Sequence, residues 1–205
     1  MTQALDLLKT GALPLLGRPL TKTESGLFGK YLDVLLKWQN TARLIGSSNP
    51  RWIVEKLFLD SLLFLKVLPS GVGRVLDLGA GAGFPGLPLK IVSSGLELTL
   101  VESRQRRASF LSAAVRELEL TGVTVVGQRA EGLLPRQGGQ FEAVVMRCAG
   151  TLEDLMRLGA EFVERGGLVI ASGPPSPRPL QMGEWVEVPG VGPRKTRRFA
   201  VYRRP

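Results

Sequence analysis

The sequence contains no histidine and only one cysteine, Cys148. An internal disulfide is therefore excluded, and a metal site is not expected, because structural zinc sites use cysteine and histidine ligands. Without histidine, any catalysis must use carboxylates, lysine, arginine, tyrosine, serine or a cofactor.

Long hydrophobic runs are also missing. No apolar stretch reaches the roughly 18 residues that a membrane-spanning helix needs, and the first residues, MTQALD, carry no basic segment of a signal peptide. These absences predict a cytoplasmic protein with no membrane partner. Because the sequence gives no oligomer signal, a monomer is the default expectation.

Acidic residues are outnumbered by basic ones, 18 against 27, which gives a net charge of +9. Such an excess favours a polyanion such as RNA, because neutralised phosphates release counterions. A protein that is merely basic, or an edge strand protected by charge, is the competing interpretation. The candidate RNA-binding residues cluster near the C-terminus: Arg194, Lys195, Arg197, Arg198 and Arg203.

The first seventy residues follow a helical pattern. Thr21 and Glu24 form the two ends of a capping box, and Asn49-Pro50 is typical of a helix start. We expect residues 1–70 to be a helical extension packed on a core formed by residues 71–205.

From Arg74 the pattern changes to alternating strands and helices, which predicts a doubly wound α/β fold. The two last strands have no helix between them, so we expect an antiparallel hairpin at the end of a mostly parallel seven-stranded sheet. This ending is typical of Rossmann-like, class I methyltransferases, which use S-adenosylmethionine. The predicted strands cover residues 74–79, 97–102, 123–128, 141–146, 168–171, 185–188 and 198–202.

A glycine-rich turn, Gly79-Ala-Gly-Ala-Gly-Phe-Pro-Gly86, follows the first strand and opens a helix. Glycines there permit a tight turn and the close approach of a ligand. The spacing also matches the dinucleotide pattern of NAD-binding proteins. Asp77, a charge inside the strand, favours S-adenosylmethionine, since it can meet a ligand ammonium group or turn N–H groups. Glu102, after the second strand, suits ribose hydroxyls in either cofactor.

The stretch VLDLGAGAGFPGLPL, residues 75–89, closely resembles the family of ribosomal RNA small subunit methyltransferase G, also called glucose-inhibited division protein B. The Phe-Pro-Gly-Leu-Pro extension is its distinctive part. Further similar segments are FLDSL at 58–62, LVES at 100–103, RAE at 129–131 and MRCA at 146–149.

The resemblance implies a methyltransferase that transfers a methyl group from S-adenosylmethionine to N7 of one guanine in the 16S ribosomal RNA of the small subunit. It implies that residues 71–205 form the cofactor-binding domain. In relatives the cofactor is held by positions matching Gly79, Phe84, Ala130, Glu131 and Arg147. To these we add Asp77 and Gly81, from the strand end and the glycine-rich turn, and Glu102, because it suits ribose hydroxyls.

Two positions depart from the family pattern. Leu57 stands where relatives usually have histidine, and Ser172 where they typically have lysine. Both positions would face the target nucleotide or its phosphates, so activity on the usual guanine is in question.

Methylation of guanine N7 needs no general base, because that nitrogen carries a lone pair and no proton. The candidates for a catalytic role are Arg147 and Asp60. Arg147 could equally pair with Glu131 or Asp154, and Asp60 could be a helix-surface carboxylate. Two alternatives to the RNA enzyme remain: a small-molecule methyltransferase that uses S-adenosylmethionine, and a non-catalytic RNA-binding assembly protein that retains the fold.

Overall fold

The computed structural model describes residues 2–147, 151–173, 178–192 and 195–205. Its seven strands form one sheet in the order β3-β2-β1-β4-β5-β7-β6. Cys148, Ala149 and Arg194, named above, lie outside the described residues. The strands are β1 (Arg74–Leu78), β2 (Glu97–Val101), β3 (Val123–Val126), β4 (Phe141–Met146), β5 (Val163–Ser172), β6 (Glu184–Pro189) and β7 (Thr196–Arg203).

Strands β1 to β5 run parallel, whereas β7 is antiparallel to both β5 and β6. Ser172 pairs with Phe199 where β7 enters the sheet, and Val188 pairs with Arg197 in the hairpin. The predicted fold class is therefore confirmed, including the antiparallel hairpin.

Both faces of the sheet are covered, which explains why the strands are rich in valine and leucine. Val75 and Leu76 are both fully buried, yet they belong to different hydrophobic clusters. Successive side chains of a strand point to opposite faces. Val75 therefore faces the N-terminal helices, and Leu76 faces the layer that includes Met156 and Phe162.

Two helices start where the sequence predicts. Thr21 accepts a hydrogen bond from the Glu24 N–H, Glu24 accepts one from the Thr21 N–H, and Asn49 caps the helix that begins at Pro50. The α-helices are α1 (Thr2–Leu16), α2 (Lys22–Ala42), α3 (Pro50–Ile53), α4 (Leu59–Leu62), α5 (Gly86–Val92), α6 (Gln105–Glu117), α7 (Leu134–Gln137) and α8 (Leu152–Phe162).

A π-helical turn, Val54–Phe58, joins α3 to α4, and a 3-10 turn, Leu63–Lys66, follows α4. The Asn49-Pro50 pattern predicted a helix start but neither of these two turns. Wide turns of this kind are common at functional sites.

An aromatic cluster connects the N-terminal helices to the glycine-rich turn. The Tyr31 ring stacks on Phe58 and on Phe84, with centroid distances of 5.2 and 5.5 Å. One hydrophobic core runs through the helices and the sheet-facing residues. The helical segment therefore packs directly against the turn that opens α5.

Strand β5 is longer than predicted, because its first residue is Val163 and not Leu168. Val163 is fully buried and pairs with Phe141, after which the register shifts and Leu168 pairs with Ala143. Gly166, with a φ of 81°, lies in this irregular part. Helix α8 therefore ends at Phe162, directly before β5. Within the described ranges, no helix is long and apolar enough to cross a membrane.

Candidate functional site

The glycine-rich turn lies at the carboxyl end of β1, between β1 and α5. Gly79 has a φ of 73°, in the left-handed region that favours glycine. A Cβ at this residue would meet nothing within 4 Å, so open space adjoins the backbone here. Parallel α/β sheets bind ligands outside the carboxyl ends of their strands. The turn is therefore the first candidate for a ligand site.

Several backbone donors of the turn are already used within the protein. The N–H groups of Gly79 and Ala80 both donate to the carbonyl of Val101 at 2.9 Å. Those of Gly83 and Phe84 donate to the carbonyl of Ala80, at 2.7 and 3.1 Å. A ligand phosphate would find these donors occupied.

Asp77 is fully buried in β1 and turns toward the helix that follows. Its Oδ2 accepts a hydrogen bond from the Gly86 N–H at 2.7 Å, whereas its Oδ1 is buried without a partner. Burial raises the pKa of Asp77 to about 7, against the opposing effects of the Gly86 N–H and Arg147. Asp77 therefore meets a backbone N–H, one of its two predicted roles, and keeps one acceptor unused.

Glu102 follows β2 and points back to the turn. Its Oε2 accepts a hydrogen bond from the Gly81 N–H at 3.0 Å, and its Oε1 accepts one from the Arg104 N–H at 2.8 Å. The Arg107 Nη1 lies 4.0 Å from Oε2. The Arg107 Nη1 would also lie 3.8 Å from a Cβ at Gly81, so Arg107 borders the turn. Sequence reasoning did not assign Arg107 to the site.

Phe84 places its ring away from the turn and into the aromatic cluster with Tyr31 and Phe58. Tyr31, which the sequence pattern marked only as a packing residue, donates from its hydroxyl to the carbonyl of Ala82. Burial raises the pKa of Tyr31 well above its usual value, so this hydroxyl keeps its proton.

Ala130 and Glu131 begin a short 3-10 turn, Ala130–Leu133, after β3. Ala130 is buried, and Glu131 is exposed. The strand order places β3 beside β2, so these residues follow the strand next to the one that carries Glu102.

Three charged side chains meet at the carboxyl edge of the sheet, and we call them the Asp60 cluster: Asp60 on α4, Arg147 after β4 and Arg197 on β7. The Arg147 Nη2 lies 3.3 Å from Asp60 Oδ2, and the Arg197 Nε lies 3.2 Å from Asp60 Oδ1. Asp60 is therefore a paired, mostly buried carboxylate and not a surface residue. Arg147 pairs with Asp60, and not with Glu131 or Asp154.

Arg147 also supports the π-helical turn, because its Nη2 donates to the carbonyl of Lys56 at 3.0 Å. Burial lowers the pKa of Arg147, with Asp60 and Asp77 opposing this effect and Arg197 adding to it. This guanidinium therefore lies between the glycine-rich turn and the N-terminal helices.

The predicted RNA-binding residues that the structure describes lie in three places. Arg197 belongs to the Asp60 cluster at the carboxyl edge, and Lys195 lies next to it, directly before β7. Arg203 lies at the other end of β7, where its Nη1 donates to the carbonyl of Gly166 at 2.6 Å. Arg198 points to the opposite face from Arg197 and pairs with Glu187.

The two positions that depart from the family pattern also lie near this edge. Leu57 is buried in the π-helical turn, and its carbonyl accepts a hydrogen bond from the Ser61 hydroxyl at 2.6 Å. Ser172 is the last residue of β5, next to Gly173, whose carbonyl accepts a hydrogen bond from Arg197 Nη1 at 3.1 Å.

The strand order, the reversed β7 and the glycine-rich turn define the Rossmann-like fold of class I methyltransferases. A crystal structure of a mutant of MtNAS has the same fold, with a TM-score of 0.58 at 15% identity over 100% of this chain and 87% of that chain.

The chain belongs to the family of rRNA small subunit methyltransferase G, whose model matches residues 25–173. A relative of that name from Myxococcus xanthus (strain DK1622) is 40% identical over 143 residues, 69% of this chain and 65% of the relative. Another, from Syntrophus aciditrophicus (strain SB), is 36% identical over 155 residues, 74% of this chain and 64% of the relative. The matches therefore span less than two thirds of either relative's length.

Proposed function

We propose that this protein is an S-adenosylmethionine-dependent methyltransferase that methylates N7 of a guanine in 16S ribosomal RNA. The observation that carries the proposal is the open glycine-rich turn with Asp77 and Glu102 beside it, in a chain of this family. The activity, the RNA substrate and the small ribosomal subunit as partner are all part of the proposal.

The residues of the turn fit S-adenosylmethionine better than a dinucleotide. Asp77 Oδ1 is an acceptor without a partner, which suits the ammonium group of the cofactor. Each carboxylate oxygen of Glu102 accepts one N–H and has capacity for a further donor such as a ribose hydroxyl. The occupied donors of Gly79, Ala80 and Gly81 disfavour a pyrophosphate, which needs free N–H groups.

The bound cofactor supplies a methyl group on a positively charged sulfur. Transfer breaks the carbon–sulfur bond and forms a carbon–nitrogen bond, so the positive charge passes to the guanine base and no proton is removed. The protein therefore has to orient the two partners in line and exclude water, which is a task of geometry. Tyr31, Asp77 and Arg147 each make a hydrogen bond to the backbone, at Ala82, Gly86 and Lys56 respectively, and so would hold the two turns beside the site in place.

The positive charge of the carboxyl edge supports an RNA substrate over a small molecule. Lys56 and Lys195 are exposed there, and Arg197 is half-buried beside them. We further propose that the protein acts in the cytoplasm, where small ribosomal subunits are assembled.

The proposal is tested with small ribosomal subunits from a strain that lacks this activity. Incubation with methyl-labelled S-adenosylmethionine should transfer label to 16S RNA, and mass spectrometry of RNA fragments should locate it as N7-methylguanine. A matched reaction with Gly81→Val should transfer nothing. Label on another atom would contradict the assigned position, and no label in any reaction would favour a non-catalytic RNA-binding protein.

A further inference from the structure

The Asp60 cluster holds more positive than negative charge in a mostly buried place. Two guanidinium groups share one carboxylate, and the side chains of Asp60, Arg147 and Arg197 are 18%, 23% and 24% exposed. The three side chains therefore carry a net charge of +1, and Asp77 acts on Arg147 from outside the cluster.

Hydrogen-bond donors in the cluster also exceed acceptors. Arg147 Nη1 and Arg197 Nε are buried, and neither makes a hydrogen bond. Arg197 Nε is close to Asp60 Oδ1, at 3.2 Å, but the contact is an ion pair without hydrogen-bond alignment. Buried donors without partners are costly, so an additional anion would stabilise this arrangement.

A cavity of about 400 Å³ opens beside the cluster, between α1, the π-helical turn and residues 190–192 and 195–197. Leu7, Leu59 and Val191 form apolar parts of its lining, and Lys56 and Lys195 contribute ammonium groups. This combination of an apolar lining with a cationic rim suits a nucleotide, whose base is flat and apolar on its faces and whose phosphate is anionic.

The cations of the rim are not all neutralised within the protein. Glu55, the other carboxylate of the lining, pairs with Arg51 at 3.1 Å. Neither Lys56 nor Lys195 forms an ion pair in the part of the chain that the structure describes. The Lys195 side chain bends back over Gly192, so it stays close to the cavity mouth.

We propose that this cavity is a nucleotide subsite for the RNA substrate, in which Arg197, Lys195 and Lys56 hold a backbone phosphate and the apolar lining holds a flanking base. This inference rests on the proposed function, because it takes RNA as the ligand. The subsite is separate from the glycine-rich turn, and its role is to position the strand so that the target guanine reaches the methyl group.

The test compares two double variants of equal charge. Lys56→Ala with Lys195→Ala removes two rim cations, whereas Arg136→Ala with Arg165→Ala removes two exposed cations at the opposite edge of the sheet. The probe is a fluorescent 16S RNA fragment that contains the target guanine, and its binding is measured by anisotropy at several salt concentrations.

The rim variant should bind the fragment at least about tenfold more weakly, and the slope of its salt dependence should fall by up to about 0.7, the value for one phosphate contact on a single strand. The control variant should keep the slope of the wild type. In turnover, KM for RNA should rise while kcat and the affinity for S-adenosylmethionine stay unchanged. Arg197→Lys should restore most of the affinity that Arg197→Ala loses.

The subsite would be overturned by equal loss of RNA affinity in both double variants, or by an unchanged salt slope in the rim variant. Competition by 5′-nucleoside monophosphates but not by the matching nucleosides is expected, and equal competition by both would also overturn it. Because binding is measured without methyl transfer, an inactive protein would count against the proposed function and not against the subsite.

Discussion

The Oδ2 of Asp77 accepts a hydrogen bond from the Gly86 N–H at 2.7 Å, while the Oδ1 of the same carboxylate is buried without a partner. This contact joins the end of β1 to the first residue of α5, across the glycine-rich turn. The hydrogen bond therefore connects the two ends of the turn, and it explains why a carboxylate stands in a buried strand. The relationship leads to predictions about both stability and ligand binding.

The first prediction concerns the pH dependence of stability. Burial raises the pKa of Asp77 to about 7, whereas the unfolded chain has the ordinary value of 3.8. The folded protein therefore holds this proton more tightly than the unfolded chain. The bound proton therefore stabilises the folded protein fully below pH 3.8, and this stabilisation is lost as the pH rises toward about 7.

Asp77→Asn removes this titration and keeps an oxygen for the Gly86 N–H. The free energy of unfolding of Asp77→Asn relative to wild type should therefore rise between about pH 4 and 7 and then level off. The rise should be a few kcal/mol, at about 1.4 kcal/mol for each pKa unit. Urea denaturation at four pH values measures it, in the absence of cofactor. If the difference in unfolding free energy did not change over this pH range, burial would not raise the pKa of Asp77.

The second prediction tests the close approach at Gly86. A Cβ there would lie 2.7 Å from Leu100 Cδ2 and 2.8 Å from Asp77 Oδ2, both too short. Gly86→Ala should therefore destabilise the protein by about 1–3 kcal/mol, as overpacking does. Gly26→Ala is a matched control, since a Cβ at Gly26 in α2 would meet nothing within 4 Å and should stabilise the helix. Equal melting temperatures for the two variants would contradict the packing described here.

Much of the fold follows from local sequence signals. Short apolar runs rich in valine and leucine predicted the seven strands, and the Thr21–Glu24 pattern predicted the start of α2. These features depend on neighbouring residues, so one stretch of sequence contains the whole signal. Asp77 and Glu102 could be proposed as cofactor residues for the same reason, because each is a charged residue at or just after the end of a predicted strand.

The parts that could not be predicted depend on contacts between distant residues. Asp60 and Arg197 are 137 positions apart, and nothing in either local pattern indicates that they meet. The π-helical turn likewise has no local signature, and the Arg147 guanidinium that binds its Lys56 carbonyl comes from the end of β4.

The third prediction concerns the glycine-rich turn itself. Gly81 has a φ of 59°, which a β-branched residue adopts only with strain, and its N–H donates to Glu102. Gly81→Val should therefore abolish measurable binding of S-adenosylmethionine in calorimetry. Gly95→Ala, on the loop before β2 where a Cβ would meet nothing within 4 Å, should bind as the wild type does. Wild-type affinity in Gly81→Val would refute the assignment of the turn as the cofactor site.

The fourth prediction concerns the link between the helical segment and the turn. Tyr31 on α2 donates from its buried hydroxyl to the carbonyl of Ala82, and its ring stacks on Phe84. Tyr31→Phe keeps the ring and leaves that carbonyl without this donor. We expect a loss of about 1–3 kcal/mol in the free energy of unfolding, the cost of leaving a buried acceptor unpaired.

The same variant should also weaken binding of S-adenosylmethionine, because the Ala82 carbonyl belongs to the turn that receives the ligand. Tyr202→Phe, half-buried on β7 and distant from the turn, serves as the matched control and should change neither quantity by as much. Denaturant titration and calorimetry on both variants separate the two effects. If Tyr31→Phe lowered stability but left cofactor affinity untouched, α2 would support the fold without shaping the site. A decrease in both would show that the helical segment holds the turn in its ligand-binding conformation.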